Sequence, residues 1–591
     1  MSNYQAPVKE MLFAVKELAG LADVNRLPAF ADATPDLVEA ILDEAAQLAA
    51  DVIAPTNTIG DEKGTHIEDG RVRVPAEFAA AYREFTAGGW GGIAQSAEAG
   101  GQGLPYLVGL AVEEMWQSAN LAWSLCPLLS QGAARAIEDH GDEVLRALLL
   151  GPMVEGRWTG TMNLTEPQAG SDLGAVRTLA RPDGDAYRIT GQKIYITWGD
   201  HDMTENVIHL VLARVEGAPE GVKGLSLFAV PKRLINADGS SGELNGVRPI
   251  SVEHKLGIHG SPTCVMAYES ALGYLVGELN RGLACMFTMM NHARLGVGLE
   301  GVAISERSYQ DALAYAKDRV QGYAPGHQGR VSIIHHPDVR RMLLAMKSHI
   351  EAMRAVAYVT GACLDHAHHH PDADSRARYQ ARVDLLTPVV KGWCTETAQS
   401  LTSLGMQVHG GMGYVEETGA AQHYRDARIT TIYEGTTGIQ ANDFVGRKIL
   451  RDGGHALQTL IADIRAVDAD LARHGDALGT IRGGLADGCD QLAAAASWLL
   501  TSYDRDTSIP GAVAYSLLML AGTVAGGWQM ARAAVAASDR LAADADDREF
   551  YEAKIITARF FAEQIMPVAV AYRQAIESGS DTVMALSEDQ F

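Results

Sequence analysis

From Trp158 to about Gly273 the chain reads in short runs of β character, and on both sides of that block it reads in long helical periods. Residues 187–190, 207–212 and 225–230 are rich in branched and aromatic side chains. Between and beyond them stand the turn formers Asp183-Gly184-Asp185 and Asp238-Gly239-Ser240. Before the block, Leu37, Ile41, Ala45 and Leu48 share one helical face. A glycine-dense stretch over 88–105 predicts loops, with helices resuming over 108–115 and 133–150. After the block, apolar periodicity predicts helices over 283–318, 336–366, 379–409 and 437–451, then an alanine-rich helical region over 455–591. This order predicts a mainly α fold with a central β domain. Its expected divisions are an arm over 1–35, a helical domain over 36–157, a β domain over 158–275, a helical bundle over 276–453 and an extra helical domain over 454–591.

Charge and cysteine usage narrow the function. A formal charge of −24 over 591 residues repels a phosphate backbone, so no nucleic-acid partner is expected. Cys126, Cys264, Cys285, Cys363, Cys394 and Cys489 include no C-x-x-C pair. They are expected to be buried free thiols in a reducing cytosol, with neither a disulfide frame nor a zinc site. Lys9, Glu10, Lys16 and Glu17 interrupt the apolar start, which argues against export and for a cytoplasmic location. Residues 507–531 carry no charge and are long enough to cross a bilayer, yet Pro510, Gly511, Gly522, Gly526 and Gly527 interrupt them. A helix buried among other helices is expected there, with no integral membrane span.

Three segments concentrate chemistry. The first, 158–172, reads WTGTMNLTEPQAGSD, where small and hydroxylated residues let a backbone approach a planar ring and donate to its heteroatoms. In the second, 191–199 (GQKIYITWG), Tyr195 and Thr197 are expected on one face of a strand. The third joins Gln407-Val408-His409-Gly410-Gly411 to Tyr433-Glu434-Gly435-Thr436-Thr437-Gly438. Paired glycines after a helix permit close approach to a phosphate or adenine. Glu434, between apolar Ile432-Tyr433 and a helix start, is expected to be partly desolvated, as a general base for a carbon acid must be.

Taken in this order, LTEP-x-AGSD, K-x-Y-I-T and YEGT resemble the acyl-CoA dehydrogenase family over essentially the first 450 residues. Tyr4-Gln5-Ala6-Pro7 and the extra C-terminal domain are similar to the long subgroup that includes 3-methylmercaptopropionyl-CoA dehydrogenases and some bacterial fatty acyl-CoA dehydrogenases. The resemblance implies an N-terminal helical domain, a middle β-barrel and a C-terminal helical bundle, with FAD as cofactor. It implies Glu434 as the base in α,β-dehydrogenation of an acyl-CoA to a trans-2-enoyl-CoA, with hydride passing to flavin. Relatives that carry the base on an earlier helix place it just before an arginine; here that pair reads Ala293-Arg294.

Further site residues are likewise implied by the resemblance. Met162, Leu164, Thr165, Gly170, Ser171, Tyr195, Ile196 and Thr197 are expected at the flavin. Arg319, Gln321, His336, Gln407, Gly410, Gly411, Thr436 and Gly438 are expected elsewhere along the cofactor, partly across a subunit boundary. Asn291, His292, Ala293, Arg294 and Gly435, with Ser171 and Glu434, are expected at the substrate. Expected partners are an electron-transfer flavoprotein and a second copy of the chain. An acyl-CoA oxidase and a flavin-binding scaffold without turnover are the competing readings. The expected acyl group is 3-(methylthio)propanoyl or a straight medium-to-long chain. His366-Ala367-His368-His369-His370 is read as a solvated helix end, not a metal site. His335-His336 is read as a helix start, and Met286, Met289 and Met290 as core with a possible share in an acyl pocket.

Overall fold

The computed structural model describes residues 4–544 and 546–591; of the arm expected over 1–35, residues 1–3 lie outside that description. The chain forms two compact units. One comprises residues 4–6, Asp43–Leu104 and Met115–Gly296, the other Pro7–Leu42, Pro105–Glu114 and Val297–Phe591.

In the first unit the β block becomes a seven-stranded sheet. Its strands are β1 (Trp158–Asn163), β2 (Leu179–Asp183), β3 (Ala186–Thr197), β4 (Asn206–Val215), β5 (Leu225–Pro231), β6 (Val247–Val252) and β7 (Thr263–Val276). The order is β6-β7-β3-β2-β4-β1, and β5 pairs with both β7 and β4. Strands β7, β3, β2, β4 and β5 therefore close on themselves, which removes free edges from the ring. Ile189, Ile196, Val211, Phe228, Val230 and Met266 belong to the core this ring encloses.

Strand β3 does not alternate uniformly. Its register with β7 slips between Cys264↔Ile196 and Met266↔Lys193, and Tyr195 takes φ +58°. The bulge re-phases the strand. Lys193 and Ile196 are both buried, while Tyr195 is exposed and Thr197 half-buried. Tyr195 and Thr197 thus lie opposite Ile196 through a bulge, where plain strand alternation had been expected to place them.

The helix expected over 133–150 is two helices: the end of α2 (Leu121–His140), which follows α1 (Tyr106–Ala119), and the helix Glu143–Val154. Gly141 leaves helical geometry with ψ 150°, and the Asp142 side chain accepts from Leu145 N at 2.7 Å, starting a new N-terminus. Met286 and Met289 are fully buried in a cluster with Trp158, Leu149 and Ile208, and Met290 packs against it.

The second unit is helical. It contains the latter part of α3 (Gly282–Asp318), and α4 (Pro337–His369), α5 (Ala373–His409), α6 (Thr437–Asn442), α7 (Gly479–Ser502), α8 (Ile509–Ala542) and α9 (Arg548–Phe560). Helices α4 and α5 run along each other, and α8 lies against both. His366, near the end of α4, is buried and stacks on Tyr379 of α5 with ring centroids 4.5 Å apart. The histidine run is therefore partly interior, because α5 turns back beside it; His368 and His369 are exposed as expected.

Helix α8 is the one helix among the described residues long and apolar enough to cross a membrane, and 72% of its apolar window is buried inside the protein. Its glycines explain the burial. A Cβ at Gly522 would stand 2.2 Å from Trp393 Cγ, and one at Gly526 would stand 2.7 Å from the far edge of the same indole. Only a bare backbone lets the Trp393 ring lie flat along α8.

The arm is held by the later helices. Phe13 and Leu18 cluster with Ala355 and Ala533, beside Phe550 and Tyr551. Glu10 pairs with Lys347 at 3.0 Å and with Lys554, and Glu17 with Arg540 at 2.5 Å. Gly522→Val should destabilise the second unit by about 1–3 kcal/mol through overpacking against Trp393. The check is a lower urea midpoint at unchanged slope; a wild-type midpoint would show that the indole has room to move.

Candidate active site

The two signature segments of the first unit are bound to each other through a buried charge. Lys193 Nζ donates to Leu164 O and to Glu166 Oε1, both at 2.9 Å, and Ile194 N donates to Thr165 O at 2.9 Å. Thr161 Oγ1 donates to Thr197 O at 2.7 Å. These bonds bring Met162, Leu164 and Thr165, all half-buried, alongside Tyr195 and Thr197. The Ile196 side chain is in the barrel core, so this residue offers only its backbone outward. Gly170 and Ser171 are exposed on the turn beyond β1.

Glu166 also accepts from Thr178 N at 3.0 Å, from Thr178 Oγ1 at 2.6 Å and from Arg177 N at 2.8 Å. Burial pushes its carboxyl up, but Lys193 and these donors outweigh that and hold it at about 2. Burial brings Lys193 down to about 8 against the pull of Glu166. Both shifts leave a charged pair at neutral pH.

On the third and fourth turns of α3, Asn291 is exposed, His292 half-buried, and Ala293 and Arg294 buried. Burial, with Arg135 nearby, pushes the His292 imidazole down to about 4, so it is neutral at pH 7. Arg294 lies 5.9 Å from the Phe287 ring centroid. The alternative base position is a methyl group, Ala293, at 2% exposure.

In the second unit, Glu434 sits in the turn between a 3-10 segment, Arg428–Thr431, and α6. It takes φ +54° and is followed by Gly435 at φ +86°. A left-handed glutamate costs about 1–3 kcal/mol, and its surroundings must impose it. Gln440 Nε2, on α6, donates to Glu434 O at 3.0 Å and to Gly435 O at 3.3 Å. Thr436 caps α6 by accepting from Ile439 N at 3.3 Å, and Thr437 Oγ1 donates to Glu396 Oε1 at 2.6 Å. One residue before Glu434, the Tyr433 hydroxyl donates to Glu300 Oε2.

Glu300 is fully buried. Burial, and the charges of Glu113 and Glu434, push its carboxyl up to about 8, with Tyr433 and Lys391 opposing. Tyr433 is pushed well up by burial and by Glu300, Glu434 and Asp426.

The remaining expected cofactor residues fall into two further clusters. His336 Nε2 lies 2.7 Å from Gln321 O, and Arg319 O accepts from Ile333 N at 2.8 Å, so Arg319, Gln321 and His336 share one loop. His336 is the N-cap of α4. Gln407, Gly410 and Gly411 are exposed at the end of α5, where His409 lies 4.6 Å from the Tyr315 ring. Thr436 and Gly438 stay with Glu434, both exposed.

Glu166, Lys193, Glu300 and Gln440 are not among the expected site residues. The first two carried a signal, since Glu166 is the only charge between Trp158 and Ser171. Glu300 likewise interrupts the apolar run 295–304. Gln440 carried none.

With this geometry in place, comparison with known proteins identifies the class. Family models described as acyl-CoA dehydrogenase N-terminal, middle and C-terminal domains match residues 36–157, 161–271 and 280–449. One described as acetyl-CoA dehydrogenase C-terminal like matches residues 459–587. The chain belongs to the acyl-CoA dehydrogenase family, a family of oxidoreductases.

Individual relatives sharpen this. The chain is 47% identical to 3-methylmercaptopropionyl-CoA dehydrogenase of Ruegeria pomeroyi over 99% of its own length and 100% of that protein. It is 36% identical to a broad-specificity linear acyl-CoA dehydrogenase of Mycobacterium tuberculosis, covering 100% of both. The fold matches an acyl-CoA dehydrogenase complexed with FAD from Bacillus anthracis with a TM-score of 0.74 at 20% identity, over 94% of this chain and 89% of that one.

Two outcomes follow from the buried charges. Lys193→Met leaves Glu166 buried without its cation and should destabilise the protein by about 3–5 kcal/mol; equal urea midpoints for the variant and wild type would refute a compensating role. Glu300 carries a folded-state pKa near 8 against an ordinary 4.5, so its native state holds the proton more tightly. Stability from that proton is full below the ordinary value and is lost as pH rises through about 8. Glu300→Gln should therefore gain in midpoint over wild type as pH rises across that window, and a constant difference would count against a neutral Glu300.

Proposed function

We propose that this protein is an FAD-dependent acyl-CoA dehydrogenase in which Glu434 removes the α-proton of an acyl thioester. The observation that carries the reading is Glu434 itself, held left-handed in a turn whose backbone carbonyls are bonded to Gln440. A thioester α-proton is too weakly acidic for a carboxylate in water, so the base must be oriented and partly withdrawn from solvent. Glu434 is half-buried, beside the buried Glu300. Its backbone N–H is the proposed donor to the thioester carbonyl, where negative charge develops.

The residues expected to hold the cofactor fit a flavin. Met162, Leu164 and Tyr195 offer apolar surface, and Thr165, Thr197 and Ser171 offer hydroxyls. Gly170, Gly410 and Gly411 have nothing within 4 Å of where a Cβ would stand, leaving open backbone for a large ligand. FAD, when bound, supplies the acceptor for the β-hydrogen and its two electrons. Asn291, His292 and Arg294 are assigned to the CoA moiety. The exposed Arg319, Gln321, Gln407, Gly410 and Gly411 are assigned to cofactor contacts completed by a second copy of the chain. Electrons pass on to an electron-transfer flavoprotein.

For the acyl group, the 47% identity to a 3-methylmercaptopropionyl-CoA dehydrogenase favours 3-(methylthio)propanoyl-CoA. The 36% identity to a broad-specificity linear enzyme supports straight-chain acyl-CoAs as the second reading. Anaerobic titration with 3-(methylthio)propanoyl-, butanoyl-, octanoyl- and palmitoyl-CoA tests both, because the flavin band bleaches with a true substrate. Glu434→Gln should keep FAD and lose about 100- to 10,000-fold in reduction rate; a near-wild-type rate would remove Glu434 as the base.

A further inference from the structure

We infer that Glu300, acting through Tyr433, is a positioning residue for the base: the buried acid anchors the tyrosine hydroxyl and so fixes the turn on which Glu434 stands. The inference rests on the reading of Glu434 as base and extends it to a residue on a different helix.

The geometry is that of a clamp with two jaws. Glu434 and Gly435 both have positive φ, so the turn is not one that the peptide adopts by default. After the turn, the Gln440 amide grips the carbonyls of both residues. Gln440 is fully buried on α6, which is itself capped by Thr436. Before the turn, the grip is the Tyr433 hydroxyl on Glu300. Glu300 lies 133 residues away in sequence, on α3, and is fully enclosed. A left-handed residue pinned on both sides has little freedom to swing, and a base displaced by a fraction of an ångström loses rate before it loses affinity.

Glu300 suits the task because it can accept the tyrosine hydrogen bond without adding a second full charge beside Glu434. The groups that act on it are Glu113 from α1 (Tyr106–Ala119), Lys391 from α5, and Tyr433 and Glu434 from the turn. Two acids and one cation surround it. Burial together with the acids favours its neutral form, which still presents an acceptor oxygen to Tyr433. Glutamine would supply the same oxygen; leucine would supply none.

The test is anaerobic stopped-flow reduction of the holoenzyme flavin, with 3-(methylthio)propanoyl-CoA and octanoyl-CoA as probes. Wild type is compared with Tyr433→Phe, Glu300→Leu, Glu300→Gln and Glu434→Gln. Tyr433→Phe and Glu300→Leu should each lose about 10- to 100-fold in the limiting rate while the half-saturating substrate concentration moves less than about threefold. Glu300→Gln should recover to within about threefold of wild type at pH 7, because its amide oxygen restores the acceptor. That rescue separates positioning from a general loss of packing, and Tyr433→Phe keeps the test open should the leucine variant fail to fold. Full-rate Tyr433→Phe together with inactive Glu434→Gln overturns the inference and leaves the base assignment standing. A fully active Glu434→Gln overturns the base assignment and the inference with it.

Discussion

The Glu166 carboxylate, 4% exposed, is met by the Lys193 ammonium, two backbone N–H groups, a threonine hydroxyl and the Gln168 amide. Burying such a charge alone would cost several kcal/mol, so the segments that carry its partners must stay where they are. The turn after β1, the edge of β2 and the bulged β3 are thereby fixed to one point. The surfaces of Met162, Leu164, Tyr195 and Thr197 inherit their spacing from it. The same requirement recurs in the second unit. Arg354 reaches Glu114 at 2.6 Å and Glu306 at 2.8 Å, and Tyr358 donates to Glu114 at 2.6 Å. Buried charge does little for net stability compared with a well-packed apolar interior. What it does here is tie the elements that carry its partners to one point.

Around Glu434 the logic is inverted. There the acid Glu300 is enclosed with Lys391 as the cation opposing its upward shift, and the shift favours neutrality. One unit keeps a carboxylate charged at about 2 and the other keeps one protonated towards 8, using the same side-chain chemistry. Burial raises both; Glu166 is brought down by the Lys193 charge and several donors, whereas Glu300 meets Tyr433 and Lys391 against two further acids.

Much of this was legible in the sequence. Helical periods and branched runs placed the β block, and the long helices follow from apolar spacing, which in α8 runs on through Gly522, Gly526 and Gly527. The three motifs pointed to the family because residue type, order and neighbours agree. What stayed hidden depended on contacts across long sequence distances. The bulge at Tyr195 is a matter of register between β3 and β7, which alternation alone does not encode. His366 reads as solvated until Tyr379 comes back to cover it. The break at Gly141 was readable, since a glycine followed by an aspartate three residues before Leu145 is a stop and a cap together. Glu300 looked like an ordinary helical charge, and only the fold shows what meets it.

The arm leaves a mark of a different kind, on the order of events during synthesis. Glu10 closes on Lys554, 544 residues later, Glu17 on Arg540, 523 residues later, and the Leu18 carbonyl on Arg532, 514 residues later. A ribosome releases the arm well before its anchoring helices. Until α8 and α9 emerge, Phe13 and Leu18 have only Ala355 and Val359 of α4 to pack against in this cluster. The arm is thus among the later segments to settle, and its place in the second unit is complete only once residues 532–554 reach back to residues 10–18.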